Sequence, residues 1–159
     1  MSLIVLGIDP GLKTTGYAIV KSEGKAFDVI EAGKISTAEN IPLERRLKVL
    51  FDGLNEVISE FEPQAMAVEE LYSHYSHPLT AVIMGHARGL IYLAAALKAI
   101  PVKSYASTRI KKSLTGNGRA SKMQVQRSVK GILKLQKLPE PPDVADAIAV
   151  ALCHIESAR

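Results

Sequence analysis

The first third of the chain distributes its apolar residues as β-strands do. Residues 3–9 form an apolar, β-branched run that predicts a central strand. The segments "TTGYAIV" and "AFDVIEAGKIS" predict two more strands, with turn-forming residues at 10–11 and 23–25 between the three runs. The short connections favour hairpins, so we expect three leading antiparallel strands.

The apolar period then changes to that of a helix. Large apolar residues recur every three or four positions over 43–61, which predicts an amphipathic helix that ends before Pro63. The short runs "AMAVEE" and "IPVKSYA" predict a fourth and a fifth strand, and residues 78–99 between them predict a long helix rich in alanine and aliphatic residues. Strands and helices therefore alternate in the middle of the chain.

Two further helices are predicted near the end of the chain. Ser121 and Gln124 have the spacing of a capping box, which begins a basic helix that we expect to reach about Gln136. The segment "PPDVADAIAVALCHIES" predicts the last helix. Three antiparallel strands followed by strands interleaved with helices predict an α/β domain, built on a mixed sheet with helices on both faces.

Length and composition favour one domain. The chain has 159 residues, of which 47% are hydrophobic, which is enough for one core and too short for two ordinary domains; we expect a single domain over 1–159. It has neither an uninterrupted apolar stretch near the roughly 20 residues that cross a bilayer nor a signal-like N-terminus. The lone Cys153 agrees with a reducing compartment. We expect a soluble, cytoplasmic protein.

Charge is unevenly distributed along the chain. Residues 1–70 contain twelve acids and seven bases, whereas residues 71–139 contain twelve bases and no acid. A surface that only faces water usually mixes both signs, although clustering on solvated helices would give the same sequence pattern. The acid-free stretch favours a polyanionic partner.

Four carboxylates stand at positions suited to a metal site. Asp9 and Glu69 each end a predicted strand, and Asp143 and Asp146 are three residues apart on one face of the last helix. Hard oxygen ligands of this kind suit magnesium or manganese rather than zinc. Taken singly, Asp9 could cap a turn, Glu69 could be an exposed strand end and Asp143 could cap a helix, so the prediction rests on the joint pattern.

The carboxylates and the basic stretch together indicate a reaction. Two divalent ions about 4 Å apart can activate a water and stabilise the leaving oxygen of a phosphodiester, and carboxylates are the ligands that hold such a pair. A site of this kind beside a basic surface predicts cleavage of a nucleic acid.

Five segments also occur in an order known from one family. "GIDPGLKTTGYAI", "AVEE", "GHARG", "TRIKKSLTGNGRASKMQVQ" and "DVADAIAVALCH" together resemble the motifs of the RuvC family, the Holliday-junction resolvases of bacteria, over nearly the whole chain. The resemblance implies an RNase H-like fold, a five-stranded mixed sheet flanked by helices. It also implies a homodimeric crossover junction endodeoxyribonuclease that cuts opposing strands symmetrically in recombination and repair, with the branch-migration proteins RuvA and RuvB as candidate partners.

The resemblance assigns roles to particular residues. It implies two Mg²⁺ ions, with Mn²⁺ able to substitute, and the implied catalytic residues and metal ligands are Asp9, Glu69, Asp143 and Asp146.

The resemblance also implies DNA contacts. Lys111 and Lys122 would contact phosphates, and Tyr72 would stack on an unpaired base, a role for which Tyr75 competes. Arg119 lies in the glycine-rich "TGNGRAS" segment before a capped helix, which favours a phosphate contact unless the segment is only a connector.

Other interpretations remain open from the sequence. "GIDPGLKTTGYAI" also resembles the first phosphate loop of sugar kinases and actin-like ATPases, whose fold needs two such domains. A non-catalytic junction-binding protein would use the basic surface alone, and the related YqgF family shares the start but is shorter and lacks the basic helix motif. Residues 78–99 are the candidate dimer surface, although burial in the core would explain their composition as well.

Overall fold

The computed structural model describes residues 2–71 and 76–159. The strands in this part of the chain are β1 (Ser2–Asp9), β2 (Thr14–Glu23), β3 (Ala26–Ser36), β4 (Ala65–Glu69) and β5 (Val102–Tyr105). The helices are α1 (Leu43–Phe61), α2 (Pro78–Leu97), α3 (Ser107–Thr115), α4 (Lys122–Ile132) and α5 (Pro142–Ser157). Tyr72 and Tyr75, the two candidates for base stacking, lie outside the described residues.

The strands form one mixed sheet in the order β3-β2-β1-β4-β5. β1 pairs antiparallel with β2, and β2 pairs antiparallel with β3, so the three leading antiparallel strands are confirmed. β4 is parallel to β1 and to β5, with Ile8 opposite Val68 at the last β1–β4 pair. The predicted α/β class with a five-stranded mixed sheet is confirmed.

Helices cover both faces of the sheet, as predicted. The side chains of β1 alternate, so that Leu6 and Ile8 pack in a core with α1 and α2 while Val5 faces a second core with α3, α4 and α5. Burying one large aliphatic side chain of this kind contributes about 1.5–3 kcal/mol, and both cores are built mainly from such residues. The sheet therefore holds helices from distant parts of the chain in fixed positions.

The helices differ from the sequence prediction in one additional helix and one boundary. α3 follows β5 and was not predicted, because its nine residues are mostly polar and bury only Ile110 and Leu114. α4 begins at the predicted capping box but ends at Ile132 rather than near Gln136. The chain turns away after α4 at Lys134, which has a left-handed φ of 53°. The amide of Leu135 then donates to the carbonyl oxygen of Lys130 at 2.9 Å. Glycine usually occupies such a left-handed position, so the sequence carried no stop signal.

α2 has two different apolar faces. Ala87, Ile91, Ala94 and Ala95 are fully buried in the core that α2 shares with α1 and the sheet. The opposite side leaves large apolar side chains exposed. By length and composition alone, α2 would be able to cross a membrane, and it is the one helix of residues 2–71 and 76–159 with this property; a helix in a protein core passes the same test.

Candidate active site

Asp9 and Glu69 come together because their strands are neighbours and parallel. Asp9 is the last residue of β1, and Glu69 is the last residue of β4. The β1–β4 pairing ends at Ile8 and Val68, one residue before each acid. The carboxyl ends of parallel strands meet at one edge of a sheet, which is where ligands gather in α/β folds.

α5 brings the other two carboxylates to the same edge. Gly16 is the partner of Asp9 in the β1–β2 ladder, and it packs directly on the backbone of Asp143 at the start of α5. A Cβ atom on Gly16 would lie 2.2 Å from the Asp143 carbonyl oxygen, so only glycine allows this approach. Gly7 makes a similar close contact one turn further along α5. A Cβ atom added to Gly7 would lie 2.1 Å from the carbonyl oxygen of Ala147. The close contact places Asp143 and Asp146 beside Asp9.

The pKa values of two of these carboxylates reflect their proximity to one another. The pKa of Asp9 is raised from 3.8 to about 8, first by burial and then by the negative charges of Asp146, Glu69 and Asp143. The pKa of Glu69 is also raised by burial and by Asp146, while Lys111, Lys122 and Arg88 partly oppose that rise. The site therefore concentrates negative charge where water is partly excluded.

Two lysines face this concentration of charge. Lys122 Nζ lies 3.1 Å from Asp146 Oδ2. Burial acts to lower the pKa of Lys122, but its hydrogen bond and ion pair with Asp146 outweigh that effect and the pKa is raised. Lys111 and Lys122 line one cavity of about 210 Å³ together with Glu69 and Asp146. Both lysines thus reach the space in front of the carboxylates.

Arg119, which was also predicted to contact DNA, lies in the loop just before α4. The capping box holds the start of α4, since Gln124 N donates to Ser121 Oγ at 3.2 Å and Ser121 N donates to Gln124 Oε1 at 2.7 Å. Arg119 is exposed in the preceding loop, where its amide donates to Asn117 Oδ1 at 2.9 Å. Arg119 does not line the 210 Å³ cavity. The loop before α4 thus contains local hydrogen bonds of its own.

The side chains of the site determine which metal ions it can hold. The four carboxylates supply only hard oxygen ligands, which is the chemistry of magnesium and manganese sites. Within residues 2–71 and 76–159, no three Asp, Glu, His or Cys side chains form a compact coordination group. A divalent cation would offset the repulsion between carboxylates that raises the pKa of Asp9 and of Glu69. The residues fit a divalent ion by donor type and by charge.

Arg88 lies in the "GHARG" segment, and no role for it was predicted from the sequence. Its Nη1 donates a hydrogen bond to the main-chain oxygen of Glu69. It also lines a cavity of about 150 Å³ with Asp9, Glu69 and the exposed Glu70. The sequence pattern that could have indicated a role for Arg88 is its position as an arginine within a mostly apolar, alanine-rich helix.

The chain is similar throughout to one family of nucleases. A sequence model of the family described as crossover junction endodeoxyribonuclease RuvC matches residues 5–154. The RuvC protein of Rhodopirellula baltica is 52% identical over 149 residues, covering 94% of this chain and 84% of that protein. The RuvC protein of Alkaliphilus metalliredigens is 45% identical over 155 residues, covering 98% of this chain and 94% of that protein.

The fold gives the same result. The solved structure of Thermus thermophilus RuvC in complex with a Holliday junction substrate matches with a TM-score of 0.94 at 34% identity, covering 99% of this chain and 95% of that one. A second Thermus thermophilus RuvC structure matches with a TM-score of 0.92 at 35% identity, over 99% of this chain and 96% of that one. The predicted RNase H-like fold is confirmed.

Proposed function

The chain belongs to the RuvC family of crossover junction endodeoxyribonucleases, and we propose that it resolves four-way Holliday junctions by symmetric, magnesium-dependent hydrolysis of phosphodiesters in recombination and repair. The enzyme is a nuclease that depends on a divalent metal. The structural observation that carries the proposal is the convergence of four carboxylates at one sheet edge beside two lysines. We further propose that residues 1–159 form one nuclease domain and that it acts in the cytoplasm, where bacterial chromosomal DNA lies.

The carboxylates are proposed as the metal site. The ligands would be Asp9, Glu69, Asp143 and Asp146, holding two Mg²⁺ ions for which Mn²⁺ could substitute. When bound, such a pair supplies Lewis-acid activation of a water and neutralises the leaving oxygen. The strand ends and the start of α5 hold the carboxylates in place, and burial of Asp9 and Glu69 limits their contact with water. Because Asp9 is protonated more readily than an exposed aspartate, the metal-free site keeps a proton that divalent-ion binding would release.

The two lysines at the cavity are proposed to hold the DNA backbone. Lys111 and Lys122 can each place an ammonium group against a phosphate oxygen in front of the carboxylates. Arg119 would contact a phosphate farther along the strand, and Tyr72 is proposed to stack on an unpaired base at the crossover.

The stacking proposal predicts that changing Tyr72 to leucine impairs cleavage more than the same change at Tyr75 does.

A cleavage assay tests the function directly. A synthetic four-way junction and a linear duplex of the same sequence would be incubated with the protein in Mg²⁺ or in EDTA. We expect paired cuts in opposing strands of the junction in Mg²⁺, little cutting of the duplex and none in EDTA. Equal cutting of both DNAs, or cutting in EDTA, would contradict the proposal.

Lys122→Ala should weaken junction binding and reduce its dependence on salt. Removing one phosphate contact is expected to lower the slope of log affinity against log salt by about one. Binding would be measured by fluorescence anisotropy from about 50 to 200 mM salt, the range over which phosphate contacts change affinity most visibly. Lys48→Ala is the matched control, since Lys48 pairs with Asp52 on α1 away from the cavity. An unchanged slope for Lys122→Ala would show that Lys122 lies off the DNA path.

The exposed face of α2 is proposed as the homodimer surface. It carries Leu79, Val82, Leu93 and Leu97, which are 69%, 57%, 47% and 63% exposed. These positions recur at helical spacing on one side, and a second copy would bury them by a two-fold contact. A dimer also supplies the two active sites that two symmetric cuts require.

Leu93→Glu should convert the dimer into a monomer. A charge placed in a paired apolar face has no partner there, so association is expected to weaken by at least about a hundredfold. Sedimentation velocity at several protein concentrations would measure it. Val49→Glu is the control, because Val49 is 42% exposed on α1 and outside the α2 face. Equal behaviour of the two variants would contradict this dimer surface.

RuvA and RuvB are proposed as partners on the junction, on the ground of family membership alone. Junction DNA carrying RuvA and RuvB should retain more of this protein than junction DNA alone in a gel-shift experiment. Equal retention would contradict the partnership.

A further inference from the structure

Arg88 connects the end of β4 to two other elements. It lies on α2 and donates from Nη1 to the main-chain oxygen of Glu69, and from Nη2 to Tyr92 Oη at 3.2 Å. Tyr92 is one turn further along α2, and its hydroxyl pairs with Ser104 Oγ on β5 at 2.5 Å. The Arg88 guanidinium also lies 5.6 Å from the centre of the Tyr92 ring. The Arg88 guanidinium therefore bonds both to the end of β4 and to Tyr92, which in turn bonds to β5.

These bonds act at the point where β4 leaves the sheet. β4 pairs with β5 as far as Glu69 and Tyr105, and the amide of Glu70 still donates to the Tyr105 carbonyl at 2.8 Å. On the other side the β1–β4 pairs have already ended at Val68. The Glu69 backbone thus depends on fewer strand contacts than the residues before it. A planar guanidinium that fixes its carbonyl oxygen restricts how this residue can turn.

We propose that Arg88 is a positioning residue that fixes the main chain of Glu69 through the Arg88–Tyr92–Ser104 chain of hydrogen bonds, and so sets the divalent-ion affinity of the carboxylate site. This inference rests on the proposed metal site. Arg88 is not among the proposed metal ligands or DNA contacts. Groups that orient metal ligands change metal affinity or activity by about 10- to 100-fold when they are removed.

The sign of the effect separates positioning from simple electrostatics. Arg88 is a positive charge beside a cluster of carboxylates, so removing it would by charge alone tighten the binding of a divalent cation. If Arg88 instead holds Glu69 in place, removing it weakens binding despite the more negative site. The two explanations predict opposite changes.

The experiment measures Mn²⁺ binding to the full chain without DNA, by electron paramagnetic resonance of free Mn²⁺. Arg88→Met should weaken binding about tenfold, and Arg88→Lys, which keeps the charge but loses the planar fork, should also weaken it. Arg45→Met, at an exposed position on α1, removes the same charge and should leave the affinity unchanged. Unchanged or tighter binding in Arg88→Met would overturn the proposal.

A second variant guards against loss of folding. Tyr92→Phe keeps the ring and the charge but removes the hydroxyl that bonds Arg88 and Ser104, so Mn²⁺ binding should weaken about threefold, the value of one hydrogen bond. Thermal unfolding in EDTA would show that each variant is folded. Wild-type affinity in Tyr92→Phe would overturn the proposed chain of bonds.

Junction binding in EDTA distinguishes this role from a DNA contact. Arg88→Met should bind the junction as wild type does, while the Mg²⁺ concentration for half-maximal cleavage rises. Loss of junction affinity with unchanged Mn²⁺ affinity would make Arg88 a phosphate contact and overturn the positioning role. A wild-type protein that binds Mn²⁺ but cuts no junction would contradict the proposed function and leave the inference on Arg88 standing.

Discussion

An Asp9→Asn variant is expected to lose junction cleavage by about a thousandfold or more, while junction binding stays within about tenfold of wild type. Asparagine has nearly the size of aspartate but lacks its negative charge. Asp9 lies close to the other three carboxylates, since the negative charges of Asp146, Glu69 and Asp143 all raise its pKa. The phosphate-binding lysines are left in place, so binding should persist. Single-turnover cleavage and anisotropy on the same junction would measure the two effects.

Neighbouring glutamates provide a matched control for that result. Glu69→Gln should lose cleavage as Asp9→Asn does, because Glu69 is coupled to Asp146 at the site. Glu70→Gln should retain most of it, because Glu70 is exposed, lies beyond the end of β4 and, unlike Glu69, does not line the 210 Å³ cavity with Asp146 and the two lysines. Equal loss of binding and cleavage in Asp9→Asn would contradict a catalytic role for Asp9, and loss of cleavage in Glu70→Gln alone would exchange the roles of the two glutamates.

The sheet was predictable because its signals are local. The β-branched run over 3–9, the two hairpin turns and the change of period at 43 depend on residues close in sequence, and the structure has β1, β2, β3 and α1 where these patterns indicated. The capping box at Ser121 is local in the same sense. By contrast, α3 buries little and α4 ends at a left-handed lysine, so neither has a distinct sequence pattern.

The site was predictable only in part. Parallel strands place Asp9 and Glu69 at one edge, which follows from strand order once β1 and β4 are known to be neighbours. The approach of α5 to the sheet depends on Gly16 meeting the backbone of Asp143, and nothing local in the sequence shows which helix a glycine will contact. The bond from Arg88 to the Glu69 carbonyl is likewise a contact between distant residues. The sequence grouped the helical acids with the strand acids by ligand type, and the resemblance implied the same four residues, but neither indicated the contact between α5 and β2.

Asp9→Asn is also expected to stabilise the metal-free protein at alkaline pH. In the folded wild type the pKa of Asp9 is about 8, against 3.8 for an ordinary aspartate, so the folded state binds this proton more tightly than the unfolded state. Wild-type stability should therefore be greatest below about pH 4, as far as Asp9 is concerned, and should fall as the pH rises towards 8. Asparagine has no proton to lose and does not contribute to that fall.

The two proteins should therefore diverge as the pH rises. Their difference in unfolding free energy should grow by at most about 1.4 kcal/mol per pH unit, reaching about 3–5 kcal/mol in favour of Asp9→Asn near pH 8. Urea unfolding in EDTA, followed by circular dichroism at each pH from 5 to about 8.5, would measure it. A variant less stable than wild type at pH 8 in EDTA would contradict the burial and crowding of Asp9.

Repeating the unfolding in Mg²⁺ tests why the chain keeps a destabilising carboxylate. An ion that binds the folded wild type stabilises it in proportion to the logarithm of its concentration over the dissociation constant, whereas Asp9→Asn has lost a proposed ligand and should gain less. The advantage of the variant at pH 8 should therefore shrink as Mg²⁺ is added. If it stays constant, Asp9 does not hold the ion. If the advantage of Asp9→Asn shrinks, the negative charge of Asp9 both destabilises the metal-free fold and binds the cation. Stability has then been given up for catalysis at this residue.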